Sequence, residues 1–296
     1  MALTSTSATS SATSEFSVRP LTLDDAAAGH CLTQQLNWPH TKQDWIFHVA
    51  NGHGWVAIDD SGTVIGTSLI WFYGDNDATL GLVIVDNAFR GRGVANALMT
   101  HTLEAAGNRK IRLVATEMAV KLYENLGFAS SKKITIAQRQ GAIHRAKPLH
   151  ANNGAIVRVA SEQDYESILS LDLKASGMDR SKVIISLLSS SSSYVLEKGD
   201  NISGFVMVRE SGRGKTFGPL LASNETDAKL LLSRALSEHT GFCRIDVPED
   251  AEDLGLWLDQ NGLPIIDSGL LMQNVNNDLF NQSNIKVYSL ISQALL

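Results

Sequence analysis

Apolar and polar residues alternate in some stretches of the chain and recur every three to four residues in others, which predicts a layered domain of strands and helices. The first strand is predicted at 16–21, followed by a helix that begins near Thr22 and ends near Leu36. Further strands are predicted at 54–58, 63–73, 80–85 and 111–115, and helices at 44–49, 94–106 and 119–125. This order predicts the α+β class.

A similar order of elements recurs after a polar linker. Strands are predicted at 156–159, 194–197, 202–209 and 243–247. One helix is predicted to begin at 161–164, and two more are predicted at 227–237 and 251–260. We infer an internal duplication with a period of about 140 residues. The predicted boundaries are a tail at 1–15, a first domain at 16–146, a linker at 147–155 and a second domain at 156–296.

The tail at 1–15 contains nine Ser or Thr residues and no apolar run, so we expect it to be disordered. It lacks the charged start and apolar centre of a secretion signal, which favours a cytoplasmic location and leaves organelle targeting open. No stretch approaches the roughly 20 apolar residues of a membrane span. Cys31 and Cys243 lie too far apart to indicate a disulfide framework or a zinc cluster, and no metal site is expected.

Charge is divided unevenly between the halves. The net charge of −6 consists of +1 in residues 1–150, with 13 basic and 12 acidic residues, and −7 in residues 151–296, with 12 and 19. Without a basic excess, nucleic acid is not an expected partner. A polyanionic ligand should bind the first half.

The turn Arg90-Gly91-Arg92-Gly93 lies between the strand at 80–85 and the helix at 94–106. A helix N-terminus offers free N–H groups and partial positive charge, and glycines let a ligand approach the backbone closely. Arg90 and Arg92 add positive charge. Together these features predict a pyrophosphate site.

These residues resemble a known motif. The segment 90–95 is similar to the acetyl-CoA pyrophosphate motif of the GNAT N-acetyltransferases, Arg/Gln-x-x-Gly-x-Gly/Ala, with Gly93 and Ala95 at the small positions. The segment 119–128 resembles that family's second signature, Ala-x-x-Leu-Tyr-Glu-Lys-Leu-Gly-Phe. Parts of the second half, at 218–222, 246–248 and 286–290, resemble the degenerate domain of the tandem subgroup.

The resemblance implies two tandem GNAT-like domains, each a mixed, mostly antiparallel twisted sheet flanked by helices, with the first one catalytic. It implies direct transfer of an acetyl group from acetyl-CoA to a primary amine in a ternary complex. Tyr123 would donate a proton to the leaving thiolate. The residues implied in binding acetyl-CoA are Leu82, Val83, Ile84, Val85, Arg90, Gly91, Arg92, Gly93, Val94 and Ala95. The second half carries acids where the first has arginines, so it should not bind acetyl-CoA.

The acceptor site is expected near the aromatic residues that precede the strand at 54–58. Trp38 and Trp45 fit either an acceptor wall or the core. The candidate acceptor contacts are Trp38, His40, Trp45, Trp71 and Asp246. The charge of −7 in the second half would favour a cationic amine, and a small-molecule acceptor is expected. The candidate general bases are Asp75, Asp77, Glu117 and His40.

Two other functions stay open. The chain could be a non-catalytic acyl-CoA-binding sensor or scaffold, or it could acetylate protein lysines or N-termini. We expect a monomer or a weak homodimer. A P-loop NTPase is disfavoured: Gly214-Lys215-Thr216 ends like a Walker A motif, but Arg209 stands where its first glycine is required. We predict a hairpin turn at 210–214 instead.

Overall fold

The computed structural model describes residues 16–130, 135–144, 146–151, 154–274 and 283–296. The tail at 1–15 and residues 152–153 of the expected linker lie outside the described residues. In the first half the strands are β1 Phe16–Pro20, β2 His53–Asp59, β3 Val64–Tyr73, β4 Asp77–Val85, β5 Lys110–Ala115 and β6 Thr135–His144, and the helices are α1 Ala26–Gln35, α2 Lys42–Asn51, α3 Val94–Ala106 and α4 Val120–Asn125.

The second half repeats this succession of elements. Its strands are β7 Ile156–Val159, β8 Ser192–Lys198, β9 Asn201–Ser211, β10 Gly214–Ala222, β11 Thr240–Pro248, β12 Ile265–Gln273 and β13 Lys286–Ser289, and its helices are α5 Tyr165–Ser176, α6 Ser181–Leu188, α7 Glu225–Ser237 and α8 Glu252–Gln260. None of the helices in the described ranges is long and apolar enough to cross a bilayer.

The two halves begin with the same polar cluster. Asp25 accepts hydrogen bonds from the guanidinium of Arg19, with two N–O distances of 2.8 Å, and from the backbone N–H of Thr22 at 2.8 Å. The second half has the same arrangement in Arg158, Ser161 and Asp164. In each half the cluster fixes the first strand to the start of the first helix. This recurrence supports the internal duplication.

All described strands belong to one mixed, mostly antiparallel sheet. Its order is β1-β2-β3-β4-β5-β12-β6-β11-β10-β9-β8-β7, and β13 pairs with β10. Two strands are exchanged between the halves. Strand β12 of the second half pairs with β5, and β6 of the first half pairs with β11. The sheet is therefore continuous across the boundary between the halves.

The apolar core is also shared. One cluster of buried side chains contains Trp45 and Leu69 from the first half and Phe205 and Ile291 from the second. Helix α3 packs on the first half's sheet with Val94, Leu98 and Thr102 buried, as its period predicts. Ala105, which lies three residues after Thr102 and so near the same face, is exposed. Ala106 is buried in its place, which fits the slow rotation of the apolar face along a helix of 3.6 residues per turn.

Candidate functional site

Strands β4 and β5 diverge within the first half. They pair in parallel from Asp77–Thr79 to Lys110–Arg112, and within the described residues this pairing goes no further. The remainder of β4 pairs with β3 on its other side, and the remainder of β5 pairs with β12. The backbone groups that face each other across this opening are thus available to an extended ligand.

A bulge in β4 lies at this opening. Leu82 has a φ of +51°, and the register between β3 and β4 shifts between Thr67 and Leu69. The hydroxyl of Thr67 donates a buried hydrogen bond of 2.8 Å to the carbonyl of Leu82. A bulge leaves backbone groups outside the ladder, and a left-handed non-glycine residue costs roughly 1–3 kcal/mol. The Thr67 contact stabilises this conformation, so the free groups of the bulge are held in place.

The predicted phosphate turn follows β4. Gly91 and Gly93 have φ values of +76° and +82°, and no atom lies within 4 Å of where a Cβ would stand at either. Gly93 is the N-cap of α3 and has no side chain, so no described side chain caps the first N–H groups of the helix. The exposed guanidinium of Arg92 lies 5.2 Å from the ring centroid of Phe89, and Arg90 is also exposed. This geometry suits a bound phosphate.

Tyr123 lies in α4, beside the opening. Its side chain is 5% exposed and belongs to the same apolar cluster as Leu80 of β4 and Ala115 of β5. The ring contacts Phe128 edge-on, with centroids 5.8 Å apart. Burial raises the pKa of Tyr123 well above its ordinary value, so the hydroxyl keeps its proton at neutral pH.

A cavity of about 340 Å³ opens between the halves. The first half contributes Leu36, Asn37, Trp38, Pro39, His40, His48, Gly81, Leu82, Val114, Thr116, Gln138 and Gln140 to its lining. The remaining lining residues are Arg209, Ser211, Arg213, Thr216, Arg244, Asp246, Ile266, Asp267, Ser292, Gln293 and Ala294. The cavity therefore connects the β4–β5 opening with side chains of the second half.

Three of the five residues expected to contact the acceptor line this cavity: Trp38, His40 and Asp246. The rings of Trp38 and His40 lie 5.9 Å apart, and Trp38 is half-buried. Together they form part of the wall contributed by the first half.

Trp45 and Trp71 lie in the core, outside the cavity lining. Both side chains are fully buried. The indole N–H of Trp45 donates to the hydroxyl of Thr33 at 3.2 Å, and that of Trp71 to the carbonyl of His48 at 3.1 Å. Because each indole has an internal acceptor, both rings serve packing in this structure. Of the two readings open for Trp45, its placement corresponds to the core.

The second half presents arginines to the cavity, although its net charge of −7 was expected to favour a cationic amine. Asp246 is fully buried and pairs with Arg244 at 2.9 Å. Arg209 is buried and donates to the carbonyl of Ile291 at 3.0 Å. Burial lowers the pKa of Arg209 to about 10, so it stays charged at neutral pH. Arg213 is exposed on the hairpin turn between β9 and β10, where a turn was predicted.

The sequence contained signals for two of these arginines. Arg244 and Asp246 are two residues apart on β11, so their side chains leave the same face of the sheet. Arg209 directly follows the apolar run 205–208 of β9, and a charged residue buried there requires a partner.

Of the four candidate bases, His40 alone lines the cavity. Desolvation is the main reason why the pKa of His40 is lowered to about 4, and the charge of Arg244 contributes. At neutral pH its imidazole is therefore neutral and a weak base. Asp77 pairs with Arg112 at 3.3 Å in the paired part of β4. Asp75 and Glu117 are exposed and lie outside the cavity lining.

The second half has a corresponding opening, which the chain itself fills. Strands β10 and β11 pair in parallel only at Lys215 and Thr216 within the described residues. Strand β13 pairs with β10 beyond this point. Next to β13, the N–H of Leu290 donates to the carbonyl of Asp246 on β11 at 2.9 Å. Gly218 provides the space for this approach, because a Cβ there would overlap the carbonyl oxygen of Leu290.

The helix after that opening is capped. Helix α7 has the same 13-residue length as α3, but its N-cap is Asn224, whose side chain accepts a hydrogen bond of 3.0 Å from the N–H of Asp227. Leu258 occupies the position that corresponds to Tyr123, four residues before a left-handed glycine. The second half therefore lacks the uncapped turn and the phenol of the first.

Comparisons with known proteins agree with this structure. Two family models, both described as Acetyltransferase (GNAT) domain, match residues 50–130 and 168–289. The chain is 29% identical over 276 residues to the uncharacterized N-acetyltransferase YitH of Bacillus subtilis, covering 89% of this chain and 93% of that protein. It is 22% identical over 223 residues to the holothin acyltransferase of a Pseudoalteromonas species, covering 72% and 74% of the two chains.

Solved structures share the fold. A Pyrococcus horikoshii protein assigned to the acetyltransferases has a TM-score of 0.75 at 20% identity, covering 95% of this chain and 96% of its own. A tandem GNAT protein from the clavulanic acid biosynthesis pathway has a TM-score of 0.64 at 15% identity, covering 89% of this chain and 100% of its own. With a GNAT domain matched in each half and this fold, the chain is a tandem member of the GNAT acetyltransferase superfamily.

Proposed function

We propose that the chain transfers an acetyl group from acetyl-CoA to the primary amine of a small molecule, directly and within a ternary complex. One observation carries the proposal: the uncapped N-terminus of α3 and the β4–β5 opening lie in succession along the chain, and the opening leads into the cavity. A pyrophosphate, an extended pantetheine arm and an acceptor need these three environments.

The residues at the opening fit acetyl-CoA, which supplies the acetyl thioester. Left-handed Gly91 and Gly93 leave the space around the turn open, and Arg90 and Arg92 add positive charge. The bulge at Leu82 provides backbone groups outside the ladder. A free N–H there would stabilise negative charge on the thioester oxygen without any side-chain donor.

Tyr123 would act as the proton donor to the leaving thiolate. Its hydroxyl retains its proton because burial raises its pKa, and the apolar cluster around it excludes water. Tyr123 belongs to the apolar cluster that also contains Leu80 of β4 and Ala115 of β5. We assign no general base.

The cavity supports a small-molecule acceptor. Its volume of about 340 Å³ falls within the usual range for small ligands, about 300–1,000 Å³. The segment 292–294 and the turn that carries Arg213 contribute to its lining. A protein substrate would need space for its backbone beside the reacting side chain.

One acetyl-CoA should bind per chain. Strand β13 occupies the opening of the second half, and Asn224 caps the helix that would face a pyrophosphate. We therefore expect calorimetry to give a stoichiometry of one.

The function is tested by thiol release from acetyl-CoA across a panel of primary amines, with product identified by mass spectrometry. We expect thiol release that depends on the amine, with the acetyl group transferred to the amine nitrogen. Tight binding of one acetyl-CoA without release by any amine would instead indicate an acyl-CoA-binding protein. Two equivalents of bound acetyl-CoA would contradict the single-site assignment.

A further inference from the structure

The cavity wall contains three buried nitrogen atoms without hydrogen-bond partners in the described part of the chain. They are Nε of Arg209, Nδ1 of His40 and Nδ1 of His48. A buried polar atom without a partner costs roughly 1–3 kcal/mol, so such atoms are normally satisfied. Their presence around one cavity indicates a polar ligand.

The surroundings of Arg209 indicate the charge of that ligand. Its side chain is 9% exposed, and its nearest carboxylate is that of Asp44, with an N–O distance of 3.8 Å. That carboxylate also accepts hydrogen bonds from Thr41 and from the N–H of Gly212. The charge of Arg209 is thus only partly compensated by the protein. An arginine can only donate hydrogen bonds, so its missing partner is an acceptor.

Two further cations line the same wall. Arg213 makes no hydrogen bond or ion pair with any residue in the described ranges. Arg244 is paired with Asp246. Asp267 is the other acid of the lining, and it is exposed. His40 and His48 are neutral at neutral pH because their pKa values are lowered to about 4 and about 3, chiefly by burial. The lining therefore carries three guanidinium groups against the two carboxylates of Asp246 and Asp267.

Resting on the proposed function, we propose that the acceptor carries a carboxylate in addition to its amine, and that Arg209 and Arg213 of the second half bind this carboxylate. The cavity is lined by Leu82 and Val114 of the opening on one side and by these arginines on the other. An amino acid or a related amine with a carboxylate group would place its amine at the opening and its negative charge on the second half. The second half then acts as a specificity domain.

The test compares acids with their neutral counterparts. We would measure kcat/KM for a panel of α-amino acids and ω-amino acids, each paired with its own primary amide. The amide has the same shape but lacks the negative charge. In the α series the amide group also lowers the pKa of the neighbouring amine. More of that amine is then neutral, so this effect alone would favour transfer to the amide. We expect the best acid to exceed its amide roughly ten- to hundredfold, the usual contribution of a charge-assisted hydrogen bond. Equal or better transfer to the amides would overturn the proposal.

A substitution tests whether the preference for acids comes from the arginines of the cavity wall. Arg213→Gln changes an exposed turn residue, so the fold should be unaffected. We expect KM for the acid to rise roughly tenfold or more, with kcat and the KM for its amide unchanged. The matched control is Arg234→Gln, because Arg234 of α7 pairs with Glu238 outside the cavity lining. Equal losses for acid and amide in Arg213→Gln would overturn the proposal.

A binding measurement separates this proposal from the proposed function. Calorimetric titration of the same acids and amides into the full chain, with coenzyme A present, needs no turnover. Binding of an acid, weakened at least tenfold by Arg213→Gln, would support the carboxylate site even if no amine releases thiol. Thiol release with neutral amines alone, and no binding of any acid, would support the transferase function and overturn the carboxylate site.

Discussion

The two halves begin alike and differ from the fourth strand onward. Both carry the Arg–Asp cluster at the first helix, and both have a parallel pair of strands that soon diverges. In the first half no described segment of the chain pairs across the opening, and the helix that follows has no side-chain N-cap. In the second half β13 fills the opening and Asn224 caps the helix. The two halves thus share a fold but differ in the local features that would hold a cofactor.

The second half nevertheless contributes to the site. It provides the cationic wall of the cavity, although its net charge is −7. Net charge describes the whole surface, whereas recognition depends on the few groups around a cavity. Under the proposed function, one copy of the fold would bind the cofactor and the other would provide a wall of the acceptor site.

The largest expected effect comes from placing an acid in the first half's turn. Gly93→Asp would put a side chain on a left-handed residue, cap the free N–H groups of α3 and repel phosphate. We expect at least a hundredfold loss in acetyl-CoA affinity, measured by calorimetry. The matched control is Asn224→Asp at the N-cap of α7, which should leave the affinity unchanged. A similar loss in both variants would remove the distinction between the halves.

Tyr123→Phe tests whether the chemistry also belongs to the first half. The ring and its contact with Phe128 remain, so acetyl-CoA affinity should be unchanged, while kcat falls roughly a hundredfold with the loss of the proton donor. Tyr288→Phe, at a buried tyrosine of the second half, is the control and should keep the wild-type kcat. Full turnover by the Tyr123 variant would exclude its catalytic role.

Gly218→Ala tests how firmly β13 occupies the second opening. The added Cβ would overlap the carbonyl oxygen of Leu290, and we expect a loss of about 1–3 kcal/mol in the free energy of unfolding, measured in urea. The comparison is Gly81→Ala on β4, where the Cβ would stand 2.7 Å from the Cβ of Ala294. We expect a smaller loss there. The reverse order of the two losses would show that the second opening is the more adaptable one.

The smallest expected effect is a pH dependence of stability from the first half. The folded pKa values of His40 and His48, about 4 and about 3, lie below the value of about 6.5 in the unfolded chain. Between these values the unfolded state binds more protons, so stability falls as pH falls from about 6.5 to about 4.

His48→Gln should reduce this slope by about 1 kcal/mol per pH unit in urea unfolding between pH 7 and 5. His239 of the second half is the control. It is less buried and its pKa is lowered as well, so His239→Gln should change the slope less. An unchanged slope in the His48 variant would show that this imidazole is hydrated.

The sequence predicted the elements of the first half as far as residue 128, because their periodicity and turns are local. Helix α2 is longer than the predicted 44–49, since Thr41 and Asp44 cap it two residues earlier than the apolar pattern begins. The phosphate turn was predicted because its residues are consecutive. The cavity was not, since Arg209 and Arg213 meet His40 only through the packing of the two halves.

The exchange of β6 and β12 could not be predicted either, because pairing between distant strands leaves no local pattern. It also has a consequence for synthesis on the ribosome. Leu113 and Val114 of the first half's sheet pair with Met272 and Leu271, which are translated much later. The first half therefore remains with an open sheet edge until the second half has emerged. A nascent chain that is released early cannot complete the sheet of the first half, which links the production of active enzyme to the presence of both copies.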